Sequence, residues 1–142
     1  MKKSIIKNLI ILSAVLFAAC SKSSSSNPMS SSDTTNVSFA SQVQPIFTSN
    51  CTNSSCHGGT TPQRGQNLSA GQAYNNIVNV ASQEVPSYDR IRPYRSDSSY
   101  LYLKITGASG ITGARMPYGG SPLQISDIAT IKAWIDQGAK NN

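Results

Sequence analysis

The chain has 142 residues, 38% of them hydrophobic, with twelve Lys and Arg against six Asp and Glu. That length suits one domain. The basic groups outside the N-terminus concentrate in "YDRIRPYRSD", Tyr88 to Asp97, with Arg115 further on. This cluster reads by default as a solvated loop, with a site for anionic groups as the alternative, and not as a nucleic-acid face. Glu84 is the single glutamate and "GGTTPQRG" lacks the Lys and Ser or Thr of a phosphate loop, so paired-carboxylate and nucleotide chemistry are excluded.

Met1-Lys2-Lys3 opens the chain with positive charge, and "NLIILSAVLFAA" follows as a short apolar run. Leu9 to Ala19 spans 11 residues, whereas a bilayer core takes about 20 as a helix. The segment reads as a secretory signal. Its end, "LFAAC", resembles a bacterial lipoprotein signal, with Phe17 where a leucine is commoner. That resemblance implies removal of residues 1–19 and acylation of Cys20, which would hold the protein at a membrane without spanning it. The alternative is an ordinary signal cut near Ala19, leaving an unpaired thiol. Ser21 after Cys20 favours the outer membrane, facing the periplasm, by analogy with lipoprotein sorting. Residues 20–36 are rich in Ser and read as a flexible tether. Lys2, Lys3 and Lys7 leave with the signal, so the surplus of positive charge falls to three.

Residues 37–142 read as an all-α domain of about four short helices joined by long loops. "VSFASQVQPIF" places Phe39, Val43, Ile46 and Phe47 at helical spacing behind Ser38, with Pro45 predicting a kink or a late start. "LSAGQAYNNIV" predicts a second helix capped by Ser69, and "SDSSYLYLKITG" a third, capped by Ser98 or Ser99 and ended by Gly107. The fourth is predicted from a Ser126 cap, with Asp127 in the first turn, Ile128, Ile131, Trp134 and Ile135 on one face, and Gly138 as stop. So thin an apolar core calls for a staple, a metal or a cofactor.

"CTNSSCHGG" holds two of the three cysteines and the one histidine. Three chemistries fit. A closed zinc site needs four ligands; Cys51, Cys56 and His57 give three, and Asp89 or Asp97 would have to complete it. A Cys51–Cys56 disulfide suits an exported protein. Covalent haem uses two thiols as thioethers and the following histidine as iron ligand, usually as C-x-x-C-H; here the spacer is four residues, not two. Of three methionines, Met1 leaves with the signal and Met29 lies in the tether. Met116, in "RMPYGG", is the remaining candidate for a second axial ligand, His/Met ligation being an established electron-transfer arrangement.

Together "VSFASQVQPIFTSNCTNSSCHGG", "SSYLYLKITG", "RMPYGG" and "LQISDIATIKAWIDQGA" resemble small single-haem c-type cytochromes, close to the planctomycete-type cytochrome c domains of Bacteroidota-like lipoproteins. The resemblance implies a monohaem cytochrome c-like fold wrapped around one covalent haem c, its first and last helices crossing near the haem. It implies Cys51 and Cys56 as attachment residues, His57 as proximal and Met116 as distal iron ligand. Arg92, Arg95, Arg115, Tyr94 and Tyr118 are candidate contacts to the haem propionates, and Trp134 is expected in the core near the porphyrin. A backbone carbonyl near Pro62 is expected to accept from His57.

Both axial positions filled would leave one-electron transfer as the remaining chemistry. The expected function is therefore a lipid-anchored, periplasm-facing electron carrier with redox-protein partners and no enzymatic or nucleic-acid role. The rivals are a five-coordinate sensor or peroxidase-like site, and an accessory haem or zinc domain of a surface assembly.

Overall fold

The computed structural model describes residues 36–142. The expectations for the signal, for residues 20–35 of the tether and for Cys20 lie outside the described residues.

Among the described residues there are four α-helices: α1 (Gln44–Asn50), α2 (Ala73–Ile77), α3 (Tyr100–Thr106) and α4 (Ile125–Asp136). A π-turn occupies Phe39–Val43, and single 3-10 turns occupy Gln63–Gly65 and Ser96–Ser98. Among the described residues there is no strand, only isolated bridges such as Val78 to Ile91 and Asp89 to Ser99. The all-α class agrees with the sequence reading. None of the described helices is long and apolar enough to cross a membrane.

Pro45 produces the late start that its missing N–H predicts. Ser38 caps the π-turn, its hydroxyl accepting from the Ser41 N–H at 3.3 Å. Its carbonyl accepts from Gln42 and Val43 at 3.0 and 3.3 Å. The regular helix then begins with Pro45 in its first turn, where the lost donor would have had no partner anyway.

α4 supplies the face that closes the core. Ile131, Trp134 and Ile135 are fully buried, as their spacing predicts. Burying each such side chain stabilises the fold by about 1.5–3 kcal/mol. The Trp134 ring lies 5.1 Å from Phe39, which also sits 5.4 Å from Tyr74 and 6.4 Å from Phe47. The indole N–H donates to the Lys140 carbonyl at 2.8 Å, and the Tyr74 hydroxyl to the Ala139 carbonyl at 2.9 Å. These bonds let two amphipathic aromatics be buried without stranding a polar tip. The π-turn and α3 both pack on α4. Three backbone N–H groups tie the π-turn to the C-terminal residues: Val37 donates to Gln137 Oε1, Phe39 to Asn142 Oδ1 and Ala40 to the Asn142 carbonyl.

Helix ends show where local rules give way. α4 begins at Ile125, one residue before the expected Ser126 cap, and no side chain caps it. Gln124 takes the cap position because its carbonyl already accepts from Ile128 at 3.1 Å. Beyond its C-terminus, Gly138 adopts φ +103°, and a Cβ there would sit 2.7 Å from the Tyr94 ring. Tyr94 N–H also donates to the Ile135 carbonyl at 2.8 Å, so this tyrosine covers the end of α4. α3 ends at Gly107 in the left-handed region, as expected. Ser99 stands at its N-cap without capping: its hydroxyl accepts from Arg92 N–H at 2.9 Å and donates to Arg95 carbonyl at 2.8 Å.

Candidate functional site

α1 runs directly into the Cys51–Gly59 loop. The Cys51 N–H donates to the Phe47 carbonyl at 2.8 Å, which hands the first thiol position a helical anchor. Asn53 then organises the four-residue spacer. Its side-chain oxygen accepts from Ser55 N–H at 3.1 Å, an Asx turn. Its carbonyl accepts from Cys56 at 2.8 Å and from Gly58 at 3.3 Å. The two additional residues are thus absorbed in a hydrogen-bonded turn, and the His57 N–H returns to the Cys51 carbonyl at 3.0 Å. Gly58 makes this closure feasible: it is buried, and a Cβ on it would lie 2.0 Å from the Thr52 carbonyl oxygen.

Cys51 and Cys56 are both free thiols, the first half-buried and the second exposed. Burial, with the neighbouring Cys56 adding to it, pushes the Cys51 thiol up to about 11. It is therefore held as a neutral thiol at neutral pH. Among the described residues, no group of three or more His, Cys, Asp or Glu side chains converges to hold a metal ion, so the zinc alternative finds no fourth-ligand geometry.

His57 is positioned from the loop that follows. Its carbonyl accepts from Leu68 N–H at 2.7 Å, and Nδ1 lies 3.2 Å from the Gln66 carbonyl. The partner is four residues beyond Pro62, the neighbourhood the sequence indicated. Donation from Nδ1–H leaves Nε2 with a free lone pair, the tautomer a metal-bound imidazole needs. Desolvation by burial lowers its pKa against the raising effect of that backbone bond, so the ring is neutral at neutral pH.

A cavity of about 690 Å³ opens beside this loop. Phe47, Leu68, Leu101, Ile105 and Leu123 form its apolar wall, and Cys51, Cys56, His57 and Met116 all line it. Cofactor pockets commonly measure about 300–1,000 Å³. Met116 packs against the core edge and its N–H donates to the Lys104 carbonyl at 2.9 Å. Its bond to Pro117 is cis. A large apolar slot flanked by two thiols, a neutral imidazole and a thioether fits a covalently attached haem with His57 and Met116 as iron ligands.

The polar wall differs from expectation. Arg92 and Arg95 are exposed and do not line the cavity; Arg95 is paired with Asp97 at 2.9 Å. Arg115 does not line it either, because its guanidinium donates to the Met116 and Gly120 carbonyls at 2.8 and 3.0 Å. Tyr118 does reach the cavity; Tyr94 and Trp134 do not, the latter being core beside Phe39. The basic groups that line it are Arg64, Arg90 and Lys104. Arg90 is buried and locked by the Arg64, Gly65 and Asn76 carbonyls. Arg64 is 65% exposed, which leaves it the basic side chain best placed for an anionic group at the cavity mouth.

Glu84 faces these cations. Its carboxylate lies 3.1 Å from Lys104 Nζ, 3.5 Å from Arg64 Nε and accepts from the Tyr100 hydroxyl at 3.0 Å. Burial opposes its ionisation, but the Lys104 and Tyr100 hydrogen bonds and the two cations outweigh it, holding the carboxyl below its ordinary 4.5. A depressed carboxylate stabilises the fold above its unfolded pKa, and that stability is lost as pH falls through the folded value. Glu84→Gln should therefore cost about 2 kcal/mol at neutral pH and flatten the decline below pH 4.5. Urea midpoints across that range check it, and parallel declines in both proteins would contradict it.

Protein-family models and curated protein sequences give no match to the chain. Among solved structures the fold is similar to Kuenenia stuttgartiensis hydrazine synthase, with a TM-score of 0.51 and 24% identity. The alignment covers 72% of this chain and 16% of that one. The expectation of a chain without enzymatic role is corrected by this finding, since the neighbour is by name an enzyme. At that identity the likeness shows a shared helical fold that a much longer synthase chain also contains.

Proposed function

We propose that residues 37–142 form a monohaem cytochrome c domain that passes single electrons. The observation that carries this reading is that Cys51, Cys56, His57 and Met116 all line one cavity, with His57 Nδ1 against the Gln66 carbonyl. Cys51 and Cys56 would hold the haem as thioethers, and His57 Nε2 and Met116 Sδ would ligate its iron. When bound, the haem supplies reversible exchange of one electron between Fe(III) and Fe(II), with a redox-protein donor and acceptor. The chain's part is positional: the Gln66 carbonyl fixes the imidazole and raises its basicity. Phe47, Leu68, Leu101, Ile105 and Leu123 exclude water, and Arg64 offers charge to the propionates.

The lipoprotein-like "LFAAC" supports export and anchoring through Cys20, and the Ser-rich residues 20–36 support a tether that lets the domain reach partners at the membrane. The location proposed is the outer membrane, facing the periplasm.

The test is the full chain expressed with haem-attachment machinery. Haem that survives a denaturing gel and a reduced spectrum with sharp, low-spin α and β bands are expected. A gel without haem stain would overturn covalent attachment; a high-spin ferrous spectrum that shifts at once with carbon monoxide would favour the five-coordinate rival.

A further inference from the structure

α3 presents a lysine where its spacing demands an apolar side chain. Tyr100, Leu101, Lys104 and Ile105 form its buried face, with Lys104 only 7% exposed. Lys104 Nζ is satisfied by the Glu84 carboxylate at 3.1 Å and by the Thr112 carbonyl at 2.7 Å. One turn earlier, the Tyr100 hydroxyl donates to the same carboxylate and accepts from the Thr112 N–H at 2.9 Å. Thr112 is therefore held by both its backbone N–H and its carbonyl. Four residues on, the Met116 N–H is held by the Lys104 carbonyl at 2.9 Å. Three hydrogen bonds thus fasten the Gly-rich loop to two residues of one helix.

We propose that Tyr100, Lys104 and Glu84 form a bracket whose role is to position Met116, so that its thioether stays directed at the site opposite His57. The inference rests on the haem reading above. The loop from Gly107 to Gly113 has three glycines at positive φ. It carries little packing of its own, with exposed residues at Gly107, Gly110, Thr112 and Gly113. Ordering such a chain costs conformational entropy at every residue, so a ligand on it drifts unless it is tied. Apolar packing alone would need only a leucine at 104. A buried charge with its counterion in place is expensive to build and worthwhile where it fixes one arrangement. Tyr100, Lys104 and Glu84 also line the cavity, but the role proposed for them is positional, exerted on the iron through Met116.

The test uses the full haem-loaded chain and compares Tyr100→Phe, Lys104→Met and Lys104→Arg with wild type and Met116→Ala. Three readouts apply: haem on a denaturing gel, the ferric thioether-sulfur-to-iron charge-transfer band, and the rate at which the ferrous form takes up carbon monoxide. Tyr100→Phe and Lys104→Met are expected to keep covalent haem while the band weakens and carbon monoxide uptake rises about tenfold. Lys104→Arg should restore both toward wild type. Ile131→Val in the distant core should lower the melting temperature and leave band and uptake unchanged, which separates positioning from general loosening. Should Lys104→Met fail to fold, Tyr100→Phe, which deletes one oxygen, decides the matter. An unaltered band and uptake in Tyr100→Phe would overturn the bracket while leaving the axial assignment intact. A wild-type spectrum without that band, or one identical to Met116→Ala, would remove the axial assignment and the bracket with it.

Discussion

Gly58→Ala should lower the stability of the domain by about 3 kcal/mol and its melting temperature by about 12 °C or more. The reason is local and steric. A Cβ at Gly58 would stand 2.0 Å from the Thr52 carbonyl oxygen and 2.8 Å from its carbon, and neither belongs to a flexible side chain that might swing away. The backbone would have to open, and the bonds that close the spacer lie at that point: Gly58 and Cys56 to the Asn53 carbonyl, His57 to the Cys51 carbonyl. The loss is therefore expected in function as well as stability. His57 would no longer be aligned with the Gln66 carbonyl, and haem bound per chain should fall several-fold. Gly59 is the internal control. It has φ +71°, but a Cβ there would meet nothing nearer than 3.9 Å, so Gly59→Ala should cost only about 1 kcal/mol of backbone strain. Thermal melts and haem-to-protein ratios of the two variants check the contrast. Equal effects at both positions would show that the Thr52 contact does not govern the loop.

What the sequence made legible follows from local rules, and what it hid follows from long-range pairing. The buried stripe Ile131, Trp134 and Ile135 was readable because a helical period survives any tertiary context. The Cys51, Cys56 and His57 grouping was readable because seven consecutive residues carry it, and Met116 was singled out by count. The Asn53 turn that absorbs the long spacer needs only residues within the loop, yet its carbonyl bonds to Cys56 and Gly58 are invisible in composition. The basic wall was misread for a clear reason. Arg92 and Arg95 form the densest run of charge, but density reports solvation, and one is paired with Asp97. The arginine that lines the cavity and is buried, Arg90, belongs to the same run, but its bonds to residues 64, 65 and 76 cross long stretches of chain. One usable signal was present. Lys104 falls between Leu101 and Ile105 on an otherwise apolar face, and a lysine there calls for a buried acid, for which the chain offers one glutamate and five aspartates.

If the proposed haem is bound with Met116 on its iron, Met116→His should keep that iron six-coordinate and shift its reduction potential downward by a few hundred millivolts, within the range of about 0.8 V that axial ligands command. A thioether favours Fe(II) relative to imidazole, because it is a weak σ donor that does little to stabilise the higher charge, so exchanging it for a second imidazole favours Fe(III). The shift needs the histidine to occupy the place of Met116. The Lys104 carbonyl that accepts from residue 116 and the Arg115 guanidinium that donates to its carbonyl are backbone contacts, preserved by any side chain. Met116→Ala keeps the same contacts and supplies no ligand. It should yield a high-spin ferrous form open to carbon monoxide, with covalent haem still present. The pair separates loss of a ligand from loss of the loop. If Met116→His leaves potential and spectrum at wild-type values, the sulfur is not on the iron, and the sixth position belongs to another group on the cavity wall.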